Sequence, residues 1–229
     1  MSRLFKLSVV ILLVSAFCVP AFARSPDENI SQPYYQIKYS IYKSMPRDEG
    51  SVVFLGDSLT DYIRFEEILP DVRIKNRGIA GDSTVTVLYR LDEVLTLKPS
   101  KLFLMIGTND IVFEMTAEET LQNIRKIIER FREESPETRI YVETVFPVNN
   151  KFETNRPAEA ITAINARLAK LVPEMNCELI DTYSYFAEGG ELPERYTVDG
   201  IHLNGAGIVR WVDFLTKWIK DDGDISYRR

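Results

Sequence analysis

Short apolar runs that alternate with longer amphipathic segments constrain the fold of this chain more than any other feature of its sequence. The runs lie at residues 52–55, 72–74, 102–106, 140–145 and 179–180, and most end close to a glycine, a proline or an aspartate. Continuous apolar runs of this length are typical of strands that are buried on both faces. The pattern therefore predicts an α/β fold with a buried parallel sheet.

The segments between these runs have the periodicity of helices. We expect helices near residues 34–45, 84–97, 116–131, 161–171 and 205–220. The first residues of the third segment form a capping-box signature, which indicates a helix start. Strands that alternate with helices imply parallel βαβ units with right-handed crossovers, and thus a three-layer α/β/α sandwich.

The first 23 residues have the layout of a secretory signal peptide. Arg3 and Lys6 precede an apolar run at residues 7–17, and residues 21–23 match an A-x-A cleavage site. We predict cleavage near Ala23, a secreted or periplasmic protein, and no stable membrane insertion after cleavage. A retained N-terminal anchor is the alternative.

Length, charge and cysteine content narrow the remaining possibilities. We assign residues 24–33 to a polar tether, 34–220 to a single domain and 221–229 to a polar tail. The net charge of -6 argues against a nucleic-acid partner, because phosphates would be repelled. Cleavage would leave Cys177 as the one cysteine, so the mature chain could form no internal disulfide.

His202 is the only histidine, so any imidazole-dependent chemistry must use it. It lies in a loop before the last helical segment, and Asp199 precedes it by three residues. A carboxylate at this spacing can reach the imidazole, fix its tautomer and stabilise the imidazolium. The alternative is an Asp-Gly turn with an incidental histidine.

Three further candidates follow predicted strands, where parallel sheets bind their ligands. Ser58 follows the first strand, and a serine becomes a good nucleophile when a base takes its proton. Gly81 can offer a backbone N–H and Asn109 a side-chain N–H to a developing oxyanion, as can the N–H of Ser58. Taken singly, each is ordinary: Ser58 can equally cap the next helix.

Four segments together resemble the SGNH/GDSL hydrolase family. They are Gly56-Asp57-Ser58-Leu59, the glycine at Gly81, Gly107-x-Asn109-Asp110 and Asp199-x-x-His202. The resemblance spans about residues 50–220 in the family's order. Within the family it is nearest to the acetylhydrolase branch, which contains the catalytic subunits of the platelet-activating-factor enzyme, and to bacterial carbohydrate and sialate O-acetylesterases.

The resemblance implies a flavodoxin-like sandwich with five parallel strands. It implies a triad of Ser58, His202 and Asp199, and an oxyanion hole of Ser58 N–H, Gly81 N–H and the Asn109 side chain. It implies an acyl-enzyme intermediate and neither a metal nor an organic cofactor. The expected partner is a small-molecule or glycan ester, and the sequence leaves the oligomeric state open.

The expected reaction is removal of small acyl groups, above all acetyl, from carbohydrates such as O-acetylated sialic acid. A lysophospholipase or thioesterase that accepts longer chains is one alternative, and a non-catalytic glycan-binding module is another. Several further polar residues lie next to these four segments or elsewhere on the chain. We interpret Asp57, Asp82 and Asp110 as loop caps, and the sequence does not distinguish Tyr62, Arg77 and Arg156 from solvated surface.

Overall fold

A computed structural model describes residues 25–220 of the chain. Its five strands are β1 Val52–Gly56, β2 Ile74–Gly78, β3 Lys101–Met105, β4 Arg139–Glu143 and β5 Glu178–Ile180. They form one parallel sheet in the order β2-β1-β3-β4-β5, so the predicted five-stranded parallel sheet is confirmed. The strand order reverses at β1, between β2 and β3, and open α/β sheets bind ligands at such a point.

Helices cover both faces of the sheet and make the predicted three-layer sandwich. They are α1 Pro26–Ser31, α2 Pro33–Ser44, α3 Ser58–Asp61, α4 Phe65–Ile68, α5 Thr84–Tyr89, α6 Leu91–Leu95, α7 Thr108–Val112, α8 Ala117–Glu134, α9 Ala158–Glu174, α10 Thr182–Phe186 and α11 Gly205–Ile219, with a 3-10 helix at Glu194–Tyr196. Val53 and Leu55 of β1 face the core beneath α5, α6, α8 and α9. Val52 and Phe54 face the opposite core, which α3, α4, α10 and α11 cover.

The structure corrects two expectations about helices. Residues 26–31 of the expected tether form α1, which begins with a capping box between Ser25 and Glu28. The single helix expected over 84–97 is divided into α5 and α6 at Arg90, whose backbone leaves the helical region at φ -111° and ψ 11°. The fully buried Arg90 side chain bonds to Asp82, and this local tertiary contact overrides the helical periodicity.

The predicted signal peptide and the predicted polar tail lie outside the described residues. Within residues 25–220, no helix is both long enough and apolar enough to cross a membrane.

Candidate active site

Ser58 lies at the carboxyl end of β1, as the sequence predicts. It is the first residue of α3, and the preceding Asp57 caps this helix by accepting a hydrogen bond from Leu59 N (2.9 Å). A Cβ at Gly56 would lie 2.4 Å from Thr60 Oγ1 and 2.5 Å from Met105 O, so the turn accepts only glycine without rearrangement. The tight turn therefore presents the Ser58 hydroxyl at the edge of the sheet.

The structure brings Ser58, His202 and Asp199 together. Ser58 Oγ is 2.8 Å from His202 Nε2, although the two residues are 144 positions apart in the sequence. On the other side of the ring, His202 Nδ1 is 2.6 Å from Asp199 Oδ2. The arrangement can pass a proton from the hydroxyl to the imidazole while the carboxylate stabilises the resulting positive charge.

The Asp199 carboxylate is fixed by hydrogen bonds to both of its oxygens. Its Oδ1 accepts the backbone N–H groups of His202 (2.8 Å) and Ile201 (3.0 Å). Partial burial alone would raise the pKa of Asp199, but the hydrogen bonds from the imidazole and from these two N–H groups outweigh it and lower the pKa. Asp199 is therefore ionised at neutral pH, as a partner for an imidazolium must be.

The loop that carries His202 is held by Thr197 and Gly200. Thr197 Oγ1 donates to His202 O (2.8 Å) and accepts from Gly200 N (2.9 Å). Gly200 has a φ of 85°, and a Cβ there would lie 2.8 Å from both Asn149 O and Phe152 Cβ. These contacts fix the backbone on either side of the imidazole.

Gly81 and Asn109 lie on neighbouring loops that are joined by a hydrogen bond. Asn109 Nδ2 donates to Asp82 O (2.8 Å), which leaves the second hydrogen of this amide for another acceptor. Gly81 has a φ of 87° and occupies the third position of a turn closed by the Asp82 N–H to Ile79 O bond (3.0 Å). Both residues line one cleft, so their N–H groups can serve one oxyanion.

Arg156 fixes the orientation of the Asn109 amide. Its Nη2 donates to Asn109 Oδ1 (2.8 Å), and its Nε and Nη1 donate to Thr108 Oγ1 and Thr154 O. A guanidinium has no acceptor, so the amide oxygen must face Arg156 and the amide nitrogen must face away. The sequence did not distinguish this residue from solvated surface, because nothing in its local pattern points to a contact 47 residues away.

Asp110 and Asp82, which lie beside the site, bond to residues of other segments. Asp110 of α7 accepts hydrogen bonds from the N–H and the hydroxyl of Thr84, and these bonds join α7 to the start of α5. Asp82 is fully buried and pairs with Arg90 at 2.6 Å. Burial raises the pKa of Asp82 to about 6, against the lowering effect of Arg90.

Asp57 has a carboxylate oxygen without a partner among the described residues, whereas Arg77 lies in a buried ion pair. Burial raises the pKa of Asp57 to about 7, and its Oδ2 has no hydrogen-bond partner among residues 25–220. Arg77, which the sequence left as surface, is buried and pairs with Glu93 at 3.1 Å. Arg77 therefore stabilises the fold beneath the site and does not line the cleft.

A cleft of about 1020 Å³ opens beside the catalytic candidates. Its wall includes Tyr62, whose ring centroid is 5.5 Å from that of His202. The rest of the wall comes from α1, α2, the loop after β2, and the segments around α7 and before α9: Asn29, Gln32, Pro33, Tyr34, Tyr35, Ala80, Gly81, Asn109, Ile111, Val112, Phe113, Glu114, Asn155 and Pro157. Within the described part of the chain, no group of three or more His, Cys, Asp or Glu side chains is arranged to hold a metal ion.

Comparison with known proteins gives consistent matches. Residues 54–208 match the model of the GDSL-like lipase/acylhydrolase family. The human platelet-activating factor acetylhydrolase IB subunit alpha2 is 30% identical over 170 residues, which are 71% of this chain and 72% of that protein. The N-acylneuraminate cytidylyltransferase of Escherichia coli is 29% identical over 166 residues, which are 69% of this chain and 38% of that protein.

The fold of this chain also matches solved structures. One from Streptococcus pneumoniae superimposes with a TM-score of 0.74 and 30% identity. The match covers 80% of the present chain and 90% of the chain in the Streptococcus structure.

Proposed function

Because the chain belongs to the GDSL-like lipase/acylhydrolase family, and is thus related to ester hydrolases, we propose that it is an exported serine esterase that removes small acyl groups, chiefly acetyl, from carbohydrates. One observation carries the mechanistic part of this proposal. Ser58, His202 and Asp199 form a continuous hydrogen-bonded relay at the switch point of the sheet, next to the loops of Gly81 and Asn109.

In the proposed reaction, Ser58 Oγ attacks the ester carbonyl carbon while His202 Nε2 accepts the hydroxyl proton. The carbonyl electrons move to the oxygen, which the N–H groups of Ser58 and Gly81 and the Asn109 amide stabilise. Collapse of this intermediate releases the alcohol, to which His202 returns the proton. Water activated by His202 then attacks the acyl-enzyme, and the acid is released.

The relatives support the choice of acyl group and of substrate class. The similarity to a platelet-activating factor acetylhydrolase subunit favours acetyl as the acyl group. The similarity to part of an N-acylneuraminate cytidylyltransferase, whose name denotes a sialic acid substrate, favours an acetylated sugar such as O-acetylated sialic acid. Export to the periplasm or beyond the cell is proposed from the pattern of residues 1–23.

Purified protein and three variants test the mechanism. We expect hydrolysis of p-nitrophenyl acetate and release of acetate from O-acetylated sialic acid, with activity lost in Ser58→Ala and His202→Ala. A fluorophosphonate probe should label the unaltered protein and Arg130→Ala, a control at a partly exposed position of α8, but not Ser58→Ala. Full activity in both catalytic variants would reject the mechanism, and glycan binding without labelling of Ser58 would identify a binding module instead.

A longer acyl chain is the second candidate, and the cleft favours it. Ile111, Val112, Phe113 and Pro157 line one side, and the volume of about 1020 Å³ far exceeds that of an acetyl group. Tyr34, Ile37 and Ile41 of α2 and its C-cap Met45 add exposed apolar side chains. If kcat/KM rises steadily from acetate through octanoate to palmitate p-nitrophenyl esters, the lipid-like substrate replaces the acetylated sugar.

A further inference from the structure

Asn29 of α1 contacts the loop that carries the proposed oxyanion donor Gly81. Its Nδ2 donates a hydrogen bond to Gly81 O at 3.0 Å, across 52 positions of sequence. The side chain is buried, with 7% of the residue exposed, although it belongs to a short polar helix. This residue precedes the stretch that matches the family model, which begins at residue 54.

The contact between Asn29 and Gly81 is also close. A Cβ at Gly81 would lie 2.6 Å from Asn29 Oδ1 and 3.3 Å from Asn29 Nδ2. The amide therefore packs directly on the glycine, and a side chain at position 81 would displace it. Gly81 needs to be glycine both for its φ of 87° and for this contact.

The hydrogen bonds around this turn leave one donor free. Ala80 N donates to Asp61 Oδ2 (2.9 Å), Asp82 N donates to Ile79 O (3.0 Å), and Gly81 O accepts from Asn29. No acceptor for Gly81 N–H is found among the residues that the structure describes. The peptide groups on either side are thus held in place, while the Gly81 N–H remains available to a ligand.

The same N-terminal helices hold the other side of the turn. Asp61, which accepts the Ala80 N–H, also accepts the Tyr34 hydroxyl (2.6 Å) and pairs with Lys38 (2.5 Å), both from α2. Asn29 and Asp61 therefore hold the turn by hydrogen bonds at Gly81 O and at Ala80 N.

We propose that Asn29 is a positioning residue of the oxyanion hole: its amide holds the Gly81 carbonyl so that the Gly81 N–H points at the reacting oxygen. The inference rests on the proposed function, because Gly81 N–H matters to catalysis only if an ester carbonyl is attacked there. Asn29 lines the cleft, and in this proposal it acts on the reacting oxygen only through Gly81. Its removal should weaken binding of the transition state and leave binding of the ester nearly unchanged.

An aryl trifluoromethyl ketone separates these two kinds of binding. Ser58 Oγ adds to the ketone carbon, the carbonyl electron pair becomes an oxyanion, and the hydroxyl proton moves to His202. The affinity of this adduct depends on the oxyanion hole. KM for p-nitrophenyl acetate, in contrast, stays constant when acylation and deacylation slow by the same factor and binding of the ester is unaltered. Asn29→Ala removes the amide, and Asn29→Asp keeps its shape but cannot donate to Gly81 O when ionised.

Gln36→Ala is the matched control, because Gln36 also donates an amide hydrogen to a backbone carbonyl of the same segment, Ile30 O, but faces solvent. We expect kcat to fall about tenfold and the Ki of the ketone to rise about tenfold in both Asn29 variants, with KM nearly constant. Gln36→Ala should match the unaltered protein.

A ketone Ki within about twofold of the unaltered value in both Asn29 variants would overturn the inference. A KM that rises as much as the Ki would also overturn it, because it would indicate a general loss of the cleft. Failure of the proposed function would give a different result: the unaltered protein would not hydrolyse esters, or Ser58→Ala would retain activity.

Discussion

At the scale of single residues, the candidate site depends on side chains that orient other side chains. Arg156 is the clearest case, because its three donors all reach backbone or side-chain oxygens of Thr108, Asn109 and Thr154. Its guanidinium decides which end of the Asn109 amide faces the cleft. An amide that turned around would present its oxygen to the proposed oxyanion and would oppose the proposed reaction.

We therefore expect Arg156→Met to lower kcat on p-nitrophenyl acetate about tenfold or more, with a smaller change in KM. Arg130→Met is a suitable control, since Arg130 forms exposed ion pairs with Asp92 and Glu134 on the surface. Steady-state kinetics and thermal melting of both variants give the measurement. If kcat of Arg156→Met stays within twofold of the unaltered value, Arg156 does not orient Asn109.

At the scale of elements, α11 determines where the His202 loop ends. Asn204 caps this helix by accepting a hydrogen bond from Gly207 N (3.0 Å). A Cβ at Gly207 would lie 2.6 Å from Tyr196 O, so the helix packs closely on the 3-10 helix that precedes the loop. A Cβ at Gly205, two residues earlier, would meet no atom within 4 Å.

These two glycines make a matched pair for testing the packing of α11. Gly207→Ala should lower the free energy of unfolding by about 1–3 kcal/mol, because the helix must shift to relieve the overlap. Gly205→Ala should leave the free energy of unfolding unchanged or raise it by less than about 1 kcal/mol, since alanine favours the helix. Urea unfolding measures both, and equal effects of the two substitutions would contradict the packing argument.

Elements were predictable from sequence where local pattern and tertiary packing agree. The apolar runs at residues 52–55 and 102–106 are central strands, and their continuous hydrophobicity follows from burial on both faces. The division of residues 84–97 was not predictable, because it depends on Arg90 bonding to Asp82 inside the fold. Helix α1 was not predicted, because its polar sequence resembles a linker. The burial of Asn29 depends on its tertiary contact with Gly81, which the local sequence does not indicate.

The candidate site divides in the same way. Ser58, Gly81 and Asn109 could be proposed from sequence because each follows a predicted strand, and His202 because it is the only histidine and Asp199 lies three residues before it. Asn29 and Arg156 act through contacts between distant segments, and only the structure places these segments together.

At the scale of the whole molecule, buried carboxyl groups should make stability depend on pH. Glu143 at the end of β4 is fully buried; its Oε2 accepts hydrogen bonds from Thr182 (2.8 Å) and Trp211 (2.7 Å). Its Oε1 has no partner within residues 25–220. Burial raises the pKa of Glu143 from 4.5 to about 7, and Asp57 and Asp82 are shifted in the same direction.

The direction of the pH effect follows from these shifts. A carboxyl whose pKa is higher in the folded than in the unfolded chain binds its proton more tightly when folded. The stabilisation that protonated Glu143 contributes to the folded state is therefore complete below about pH 4.5, and it is lost as the pH rises to about 7. The net charge of -6 acts in the same sense, because self-repulsion weakens as carboxylates are protonated. We expect the melting temperature to be higher at pH 5.5 than at pH 8.

Glu143→Gln should reduce this difference, because the variant keeps the acceptor for Thr182 and Trp211 and cannot ionise. At pH 8 we expect the variant to be more stable than the unaltered protein by about 1–3 kcal/mol, and at pH 4.5 the gain should disappear. Glu129→Gln, on the exposed face of α8, should leave the pH profile unchanged. Urea unfolding at both pH values decides the matter: an unaltered profile in Glu143→Gln would mean that this carboxyl is ionised in the folded protein despite its burial.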